Sequence, residues 1–277
     1  RREYDAVLLG IGAWVSTGVR CKGEDSQGVI GGIDFLRKVV RNEEIDLGKN
    51  VAIVGGGNTA MDACRTAVRL GAKKVYNIYR RTKNEMPADM VEITEAEEEG
   101  VIFKNLTNPI EVVADENGRV KEVVLQVMEL GEADASGRRR PVPVEGKTET
   151  IKVDTMILAI GQAVDASKFD DLDKTKKGAI AYDKDTFMTS MEGVFAGGDC
   201  GNDKISIAVE AIADAKKVSE SIDAYLNGEV LKYEKPFVVE RFDITEKTFE
   251  DRERMCRPVM DQLEADERKD NFTEVVF

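Results

Sequence analysis

The residues with the clearest chemical meaning are small ones placed directly after a short apolar strand. Residues 51–54 have the β-branched content of a buried parallel strand, and Gly55, Gly57 and Ala60 follow with the spacing G-x-G-x-x-G/A. In such a turn the first glycine permits a tight bend, the second lets the backbone approach a ligand, and the third small residue keeps the helix close to the strand. The spacing therefore predicts a dinucleotide-binding βαβ unit whose amides bind a pyrophosphate, with Gly56 as a further contact.

The helix after this turn should direct its N-terminus at the phosphates. Thr59 and Asp62 form a T-x-x-D capping pattern, and a helix that begins there presents free amides and a positive dipole end. Asn58 belongs to the same turn and is a candidate contact. Gly71 is well placed to end the helix, and residues 75–79 predict the second strand.

Two basic residues, Arg80 and Arg81, follow the second strand, and Lys83 lies close behind them. An NAD site carries an acidic residue here, which holds the ribose 2′-hydroxyl, whereas a basic residue accommodates a 2′-phosphate. The sequence therefore predicts binding of NADP(H). The alternative is a tight strand-to-helix turn followed by an ordinary solvated arginine pair, which explains the glycines but not the placement of the charge.

The charge balance limits the classes of partner. The chain has 277 residues and a net charge of -13, and its sequence pI is about 4.8. This balance argues against a nucleic-acid or anionic-membrane surface. No apolar run approaches the ~18 residues of a transmembrane helix, and no signal-peptide pattern opens the chain. We therefore expect a soluble, cytoplasmic protein.

The cysteines lie far apart in the sequence, at positions 21, 64, 200 and 256, with no C-x-x-C pair and no histidine. This pattern fits a reducing compartment and argues against a zinc site and against the dithiol mechanism of a flavin-dependent disulfide reductase. Histidine is the commonest general acid or base, so its absence predicts no catalytic side chain. The chemistry is expected to belong to a cofactor.

A second set of small residues ends the first strand of the chain. Residues 5–9 predict that strand, and Gly10, Gly12 and Ala13 follow it without a helix pattern, so they do not form another full fingerprint. Such a strand end can bring its backbone against a cofactor. The alternative is a core strand that ends in a turn.

A third strand end carries two glycines and a carboxylate. The apolar residues 194–196 lead into Gly198 and Asp199, and a long helix begins near Ser206 and includes Ala208. Paired glycines allow amides near a diphosphate, a carboxylate can accept hydrogen bonds from ribityl, and the helix dipole can face a reduced flavin ring. A strand, turn and helix with a capping aspartate is an equal alternative.

The remaining elements are predicted from local pattern. We expect a helix at residues 33–40, a solvated acidic helix at 90–99, and a β-meander with strands at 101–106, 110–114 and 120–130 and a hairpin turn at residues 116–118. We also expect an exposed basic hairpin at 131–146, a buried strand at 154–160 before Gly161, and a buried helix stripe that includes Ile212 and either Tyr225 or Leu226.

Taken together, several segments of the chain resemble the small (beta) subunit of NADPH-dependent glutamate synthase and related FAD-containing oxidoreductases. These segments are DAVLLGIGAW, VAIVGGGNTAMDACRTAVRLGA with YRR and MPA, TMILAIGQ, and GVFAGGDC with its helix. The resemblance covers residues 3–228. No single motif is specific, but their order and spacing are.

The resemblance implies an α/β fold in which a Rossmann-like NADP-binding domain is inserted in the second half of an FAD-binding domain. It divides the chain into residues 1–30 and 151–230 of the FAD domain, residues 31–150 of the NADP domain, and a C-terminal tail at 231–277, which is expected to wrap over the surface or be partly disordered.

The resemblance also implies which residues hold each cofactor. It places the 55–59 turn, Arg80 and Arg81 at NADPH, the residues Gly10, Gly12, Ala13, Gly198, Asp199, Ser206 and Ala208 at FAD, and Gly161 where the cofactors meet. Hydride would pass from NADPH to FAD, and electrons onward through iron-sulfur clusters to a partner such as the glutamate synthase large subunit.

The chain departs from the family in lacking its cysteine-rich iron-sulfur region and the first βαβ unit of the FAD domain. We therefore expect a C-terminal fragment with an incomplete FAD site that is inactive alone. A stand-alone NADP(H)-binding or sensing module without flavin chemistry is the alternative.

Overall fold

The computed structural model describes residues 3–133, 137–201, 206–229, 231, 239–253, 255–256, 258, 260–273 and 275–276. In chain order, the strands are β1 (Val7–Leu9), β2 (Val15–Ser16), β3 (Val29–Gly31), β4 (Asn50–Val54), β5 (Lys74–Tyr79), β6 (Ile102–Asn105), β7 (Thr107–Ala114), β8 (Val120–Ala133), β9 (Arg139–Lys152), β10 (Thr155–Leu158), β11 (Gln162–Ala163) and β12 (Val194–Ala196). The α-helices are α1 (Gly32–Val40), α2 (Asn58–Arg69), α3 (Met90–Glu98), α4 (Ala208–Leu226) and α5 (Ala265–Arg268).

The chain divides into two compact units. The first comprises Arg1–Ala13, Val164–Gln262 and Val276–Phe277, and the second comprises Trp14–Ala163 and Leu263–Val275. The domain boundaries predicted at residues 30 and 150 both fall inside the second unit.

The second unit is built on a parallel sheet with the strand order β3-β10-β4-β5-β6. Alternate residues of β4 face two cores, because side chains alternate across a strand. Val51 and Ile53 pack in the core that includes helix residues such as Phe35. Ala52 and Val54 pack in the core on the other face. The predicted α/β class is confirmed, with helices on one face of the parallel sheet.

The other face is covered by an antiparallel sheet with the order β7-β8-β9. The predicted turn between β7 and β8 is confirmed, since the Asp115 amide donates to the Arg119 carbonyl at 2.8 Å and Gly118 has φ +79°. The assignment of residues 101–106 to the meander is wrong, because β6 pairs in parallel with β5. The tip of the predicted basic hairpin, residues 134–136, lies outside the described residues.

The prediction that the acids of α3 form a solvated face is wrong for its C-terminal end. Glu99, the residue that follows α3, has a side chain 0% exposed and accepts hydrogen bonds from Arg65 and Arg69 of α2 and from Arg268 of α5. Arg268 is 3% exposed, so part of the predicted tail is anchored in the second unit. Residues 232–238 of that tail lie outside the described residues.

In the first unit, β1 pairs in parallel with β12, and α4 packs beside them. The helix begins at Ala208, two residues from the predicted start near Ser206, and Val218 and Ala224 are buried. The predicted stripe is wrong for Ile212, which is 68% exposed. Of the two alternatives for its last member, Tyr225 packs partly buried against this core, whereas Leu226 is exposed. Judged by length and apolar content, none of the helices in the described ranges would span a bilayer.

Candidate functional site

The turn between β4 and α2 contains three successive glycines with different structural needs. Gly55 has φ +148°, and a Cβ there would meet the Ala159 carbonyl oxygen at 2.2 Å. A Cβ on Gly56 would meet the ring of Tyr79 at 2.5 Å. Gly57 differs, because its φ of -94° suits any residue and no described atom lies within 4 Å of a Cβ built there. The fold explains the first two glycines but not the third.

Helix α2 begins directly after these glycines. The N-cap is Gly57, with no side-chain cap hydrogen bond, so the predicted T-x-x-D cap at Thr59 and Asp62 is wrong. The first amides of any helix have no partner within the helix. Those of Asn58 and Thr59 are therefore available to an anion, and the helix dipole favours a negative charge at this point.

The loop after β5 closes over the glycine turn. The Ala88 amide donates to the Gly56 carbonyl at 3.0 Å, and the Asp89 amide donates to Asn58 Oδ1 at 2.9 Å. The Tyr79 hydroxyl donates to the carbonyl of Glu85 in the same loop at 2.8 Å. The Oδ1 of Asn58 is thus engaged by the protein, and its backbone amide and Nδ2 are the groups left for a ligand. The polar composition of residues 82–89 and the Met86-Pro87 pair, which interrupts any helix pattern, are the sequence signals for this loop.

A buried amide lies beneath the turn. Asn77 of β5 donates from Nδ2 to the Gly55 carbonyl at 2.9 Å and lies 3.8 Å from the Sγ of Cys64 in α2. Burial raises the pKa of the Cys64 thiol, so this neighbour is a neutral group. Sequence analysis missed Asn77, although a polar residue in an otherwise apolar strand was a visible signal.

The two arginines after β5 lie in different surroundings. Arg80 is exposed, whereas Arg81 is 8% exposed and donates from Nε to the Arg139 carbonyl at 2.7 Å. Lys83 pairs with Glu97 of α3. Arg80 is therefore the member of the pair that is presented to solvent at the carboxyl end of β5.

Gly161 follows β10 and is exposed. Its φ is +152°, a conformation that side chains disfavour, and its carbonyl accepts from the Thr17 amide at 3.1 Å. A glycine is thus required by the backbone here.

In the first unit, Gly10 and Gly12 again differ. Gly12 has φ +66° and needs glycine for its backbone. Gly10 has no such φ, is exposed, and has no described atom within 4 Å of a Cβ built on it. Ala13 is buried. Gly10 and Gly57 therefore share the same property, a glycine that the surrounding protein does not require.

Polar groups that follow the third predicted strand already form hydrogen bonds within the protein. Gly198 has φ +68°, and its amide donates to Asp214 Oδ2 at 3.2 Å. Asp199 Oδ1 accepts from both the amide and the hydroxyl of Ser206 at 2.8 Å. Ala208 is the exposed first residue of α4. Asp199 therefore holds Ser206 just before α4, and its other carboxylate oxygen, which has no hydrogen bond to the described residues, can accept from a polyol.

Comparison with known proteins identifies the family of this chain. Residues 1–215 match the family described as pyridine nucleotide-disulphide oxidoreductase. The chain belongs to this family. The predicted fold class is confirmed, as is the resemblance to the glutamate synthase small subunit and its relatives.

Three similar proteins show the extent of the match. The NADP(+)-dependent formate dehydrogenase subunit beta of Moorella thermoacetica is 46% identical over 230 residues, which cover 82% of this chain and 32% of that protein. The glutamate synthase [NADPH] small chain of Escherichia coli (strain K12) is 35% identical over 243 residues, covering 81% and 51%. The structure of Mycobacterium tuberculosis FprA in complex with NADPH has a TM-score of 0.65 and 18% identity, covering 83% of this chain and 67% of that one.

This pyridine nucleotide-disulphide oxidoreductase chain spans about a third of the length of the first curated relative and about half of the length of the second. The match therefore reports on the fold and on the residues that the chain itself contains. The likeness to FprA, at 18% identity, reports on the fold alone.

Proposed function

We propose that this chain is the NADPH-binding part, and a portion of the FAD-binding part, of an oxidoreductase. The observation that carries the proposal is Gly57. Nothing in the described protein requires glycine there, yet it precedes the free amides of α2 in a G-x-G-x-x-A turn. A ligand that approaches the backbone closely explains a glycine that the fold does not need.

The residues around the turn suit the chemistry of a dinucleotide phosphate. Amides at the start of α2 bind the pyrophosphate, and Arg80 reaches from the end of β5 toward a 2′-phosphate. Arg81, which bonds to Arg139, contributes by holding the loop and β9 in place. The bound NADPH supplies the hydride that reduces FAD.

The FAD side is proposed on the matching glycine. Gly10 leaves room for a close ligand as Gly57 does, and the Oδ2 of Asp199 and the amides at the start of α4 add an acceptor and donors. Gly161 would be a further contact to NADPH in this proposal. Electrons leave through iron-sulfur clusters to a partner subunit, such as a glutamate synthase large subunit, in a cytoplasmic complex. Names of relatives such as glutamate synthase [NADPH] small chain support this assignment.

A pair of matched variants tests the proposal. Gly57→Val and Gly10→Val each add the same side chain at a site where the described protein leaves space. Thermal unfolding by circular dichroism should therefore change little for either variant. In calorimetric titrations, Gly57→Val should abolish NADPH binding and Gly10→Val should leave it unchanged.

FAD gives the reciprocal readout when it is titrated at high concentration, as the weak binding expected of this chain requires. Gly10→Val should weaken FAD binding further, and Gly57→Val should not. Wild-type protein should prefer NADPH to NADH by roughly tenfold or more, because a charged contact to the 2′-phosphate is lost with NADH. Normal NADPH binding by a folded Gly57→Val variant would refute the assignment of the turn. Equal affinity of the wild type for NADPH and NADH would refute the choice of nucleotide.

A further inference from the structure

Asn77 is an unusual residue for its position. It lies inside β5, between Ile53 of β4 and Phe103 of β6, and is 0% exposed. Its Oδ1 is among the buried atoms with no hydrogen-bond partner in the described chain. A β-branched residue would suit this buried strand and leave no polar atom unsatisfied. The asparagine is therefore not explained by packing.

The Nδ2 side of the amide makes specific contacts instead. It donates to the Gly55 carbonyl at 2.9 Å, with Cys64 Sγ as a weaker second neighbour at 3.8 Å. The orientation of the amide follows from chemistry, because a flipped group would set one acceptor oxygen against another. Asn77 thus holds the first peptide of the glycine turn from below.

That contact fixes the direction of the next amide. A trans peptide is planar, so its N–H points opposite to its C=O. The Gly55 carbonyl points at Asn77, and the Gly56 amide of the same peptide therefore points away from Asn77. The Gly55 amide is held as well, since it donates to the Ile78 carbonyl at 3.0 Å. Both sides of Gly55 are bonded to β5, and the turn has little freedom to rotate.

We infer that Asn77 is a positioning residue for the nucleotide. Its carboxamide aligns the glycine turn so that the turn presents its amides to the pyrophosphate before the ligand arrives. Asn77 makes no ligand contact of its own. This inference rests on the proposed NADPH site and adds to it a residue from inside the sheet.

The test compares Asn77→Leu with Cys64→Ala in the full 277-residue chain. Leucine branches at Cγ as asparagine does, although it is somewhat larger, and it replaces both the Nδ2 donor to Gly55 and the unsatisfied oxygen by methyl groups. Cys64→Ala alters the same packed region but keeps the hydrogen bond to Gly55, so it is the matched control. Asn77→Ser is made in parallel, because it keeps a hydroxyl donor in a smaller side chain.

Two ligands distinguish a loss of alignment in the glycine turn from a general loosening of the nucleotide site. NADPH uses the pyrophosphate turn, whereas adenosine 2′-monophosphate has the 2′-phosphate and no pyrophosphate. In Asn77→Leu, NADPH should bind roughly tenfold more weakly, the size of one ordinary hydrogen bond. Adenosine 2′-monophosphate should bind as it does to the wild type. Cys64→Ala should bind both ligands normally, and Asn77→Ser should lie between the wild type and Asn77→Leu.

Amide hydrogen exchange of residues 55–57 in the ligand-free protein gives an independent readout. Exchange should be faster in Asn77→Leu than in Cys64→Ala. Unchanged NADPH affinity in folded Asn77→Leu, or equal weakening of both ligands, would overturn the positioning role. Failure of both Asn77 variants to fold would also overturn it, because Asn77 would then serve the fold. If wild-type protein does not bind NADPH, the proposed function fails, and the exchange rates still report whether Asn77 orders the turn.

Discussion

Replacing Glu99 by glutamine should destabilise the second unit strongly. The carboxylate is fully buried and accepts from Arg65 Nε and Nη2 at 3.0 and 2.8 Å, from Arg69 Nη1 and Nη2 at 2.8 and 3.0 Å, and from Arg268 Nε at 3.0 Å. Glutamine has one acceptor oxygen and no charge. It would leave the buried Arg69 guanidinium without its counter-ion among the described residues, whereas Arg65 would keep Glu92 and Glu95 and Arg268 would keep Glu98.

The magnitude follows from burial. Removing one partner of a buried ion pair costs about 3–5 kcal/mol of unfolding free energy, because the remaining charge is uncompensated. For a domain of this size that loss lowers the melting temperature by roughly 6–20 °C. Glu97→Gln is the matched control, since Glu97 lies two residues earlier and its pair with Lys83 is partly exposed. The control should lose no more than about 1 kcal/mol. Similar urea unfolding curves for the two variants would refute this reasoning.

The effect should depend on pH in a defined direction. Burial opposes ionisation of Glu99, but the hydrogen bonds and charges of Arg65 and Arg69 outweigh it and lower the pKa of this carboxyl. A group whose pKa is lower in the folded state stabilises the protein above its unfolded pKa, about 4.3 for glutamate. The contribution is lost as the pH falls through the folded pKa. The stability difference between wild type and Glu99→Gln should therefore be constant near neutral pH and shrink only in acid below about pH 4.3.

Three further outcomes are expected. Arg80→Ala should reduce the preference for NADPH over NADH, measured by calorimetry, whereas Arg81→Ala should mainly lower the melting temperature because its Nε contact with the Arg139 carbonyl is lost. Arg268→Ala should release the segment 263–275, which limited proteolysis with mass spectrometry would detect as faster cleavage there. The purified chain should retain little FAD, measured by visible flavin absorbance, because it contains a single G-x-G-x-x-G/A turn.

The sequence predicted best what depends on local pattern. The apolar run of β4, the glycine spacing and the helical stop at Gly71 each act within a few residues, and β4, α2 and β5 lie where they were expected. Gly71, with φ +87°, follows the C-cap residue Leu70 and so lies at C′ of α2 as predicted. The family resemblance depends on several such patterns in order, and it is confirmed for the same reason.

The features that the sequence did not predict depend mostly on contacts between residues far apart in the chain. Residues 102–105 look like the start of a meander because strands follow them closely, yet β6 joins the parallel sheet beside β5. The acids of α3 suit a solvated face, and only the fold brings arginines from residues 65, 69 and 268 to one of them. The T-x-x-D pattern failed for a local reason, since Gly57 already occupies the cap and Thr59 lies inside the helix.

Helix α2 links the stability of the second unit to its ligand. Its first residue follows Gly57, and its last turns carry Arg65 and Arg69, so the proposed nucleotide site and the Glu99 cluster share one helix of 12 residues. A ligand that binds only the folded state adds about 2.7 kcal/mol at a free concentration of 100 times its dissociation constant. Saturating NADPH should therefore restore most of the melting temperature lost in Glu99→Gln, and NADH at the same concentration should restore less. If NADPH raises the wild-type melting temperature but not that of Glu99→Gln, the cluster is needed for the binding-competent form of α2, and the two ends of the helix are not independent.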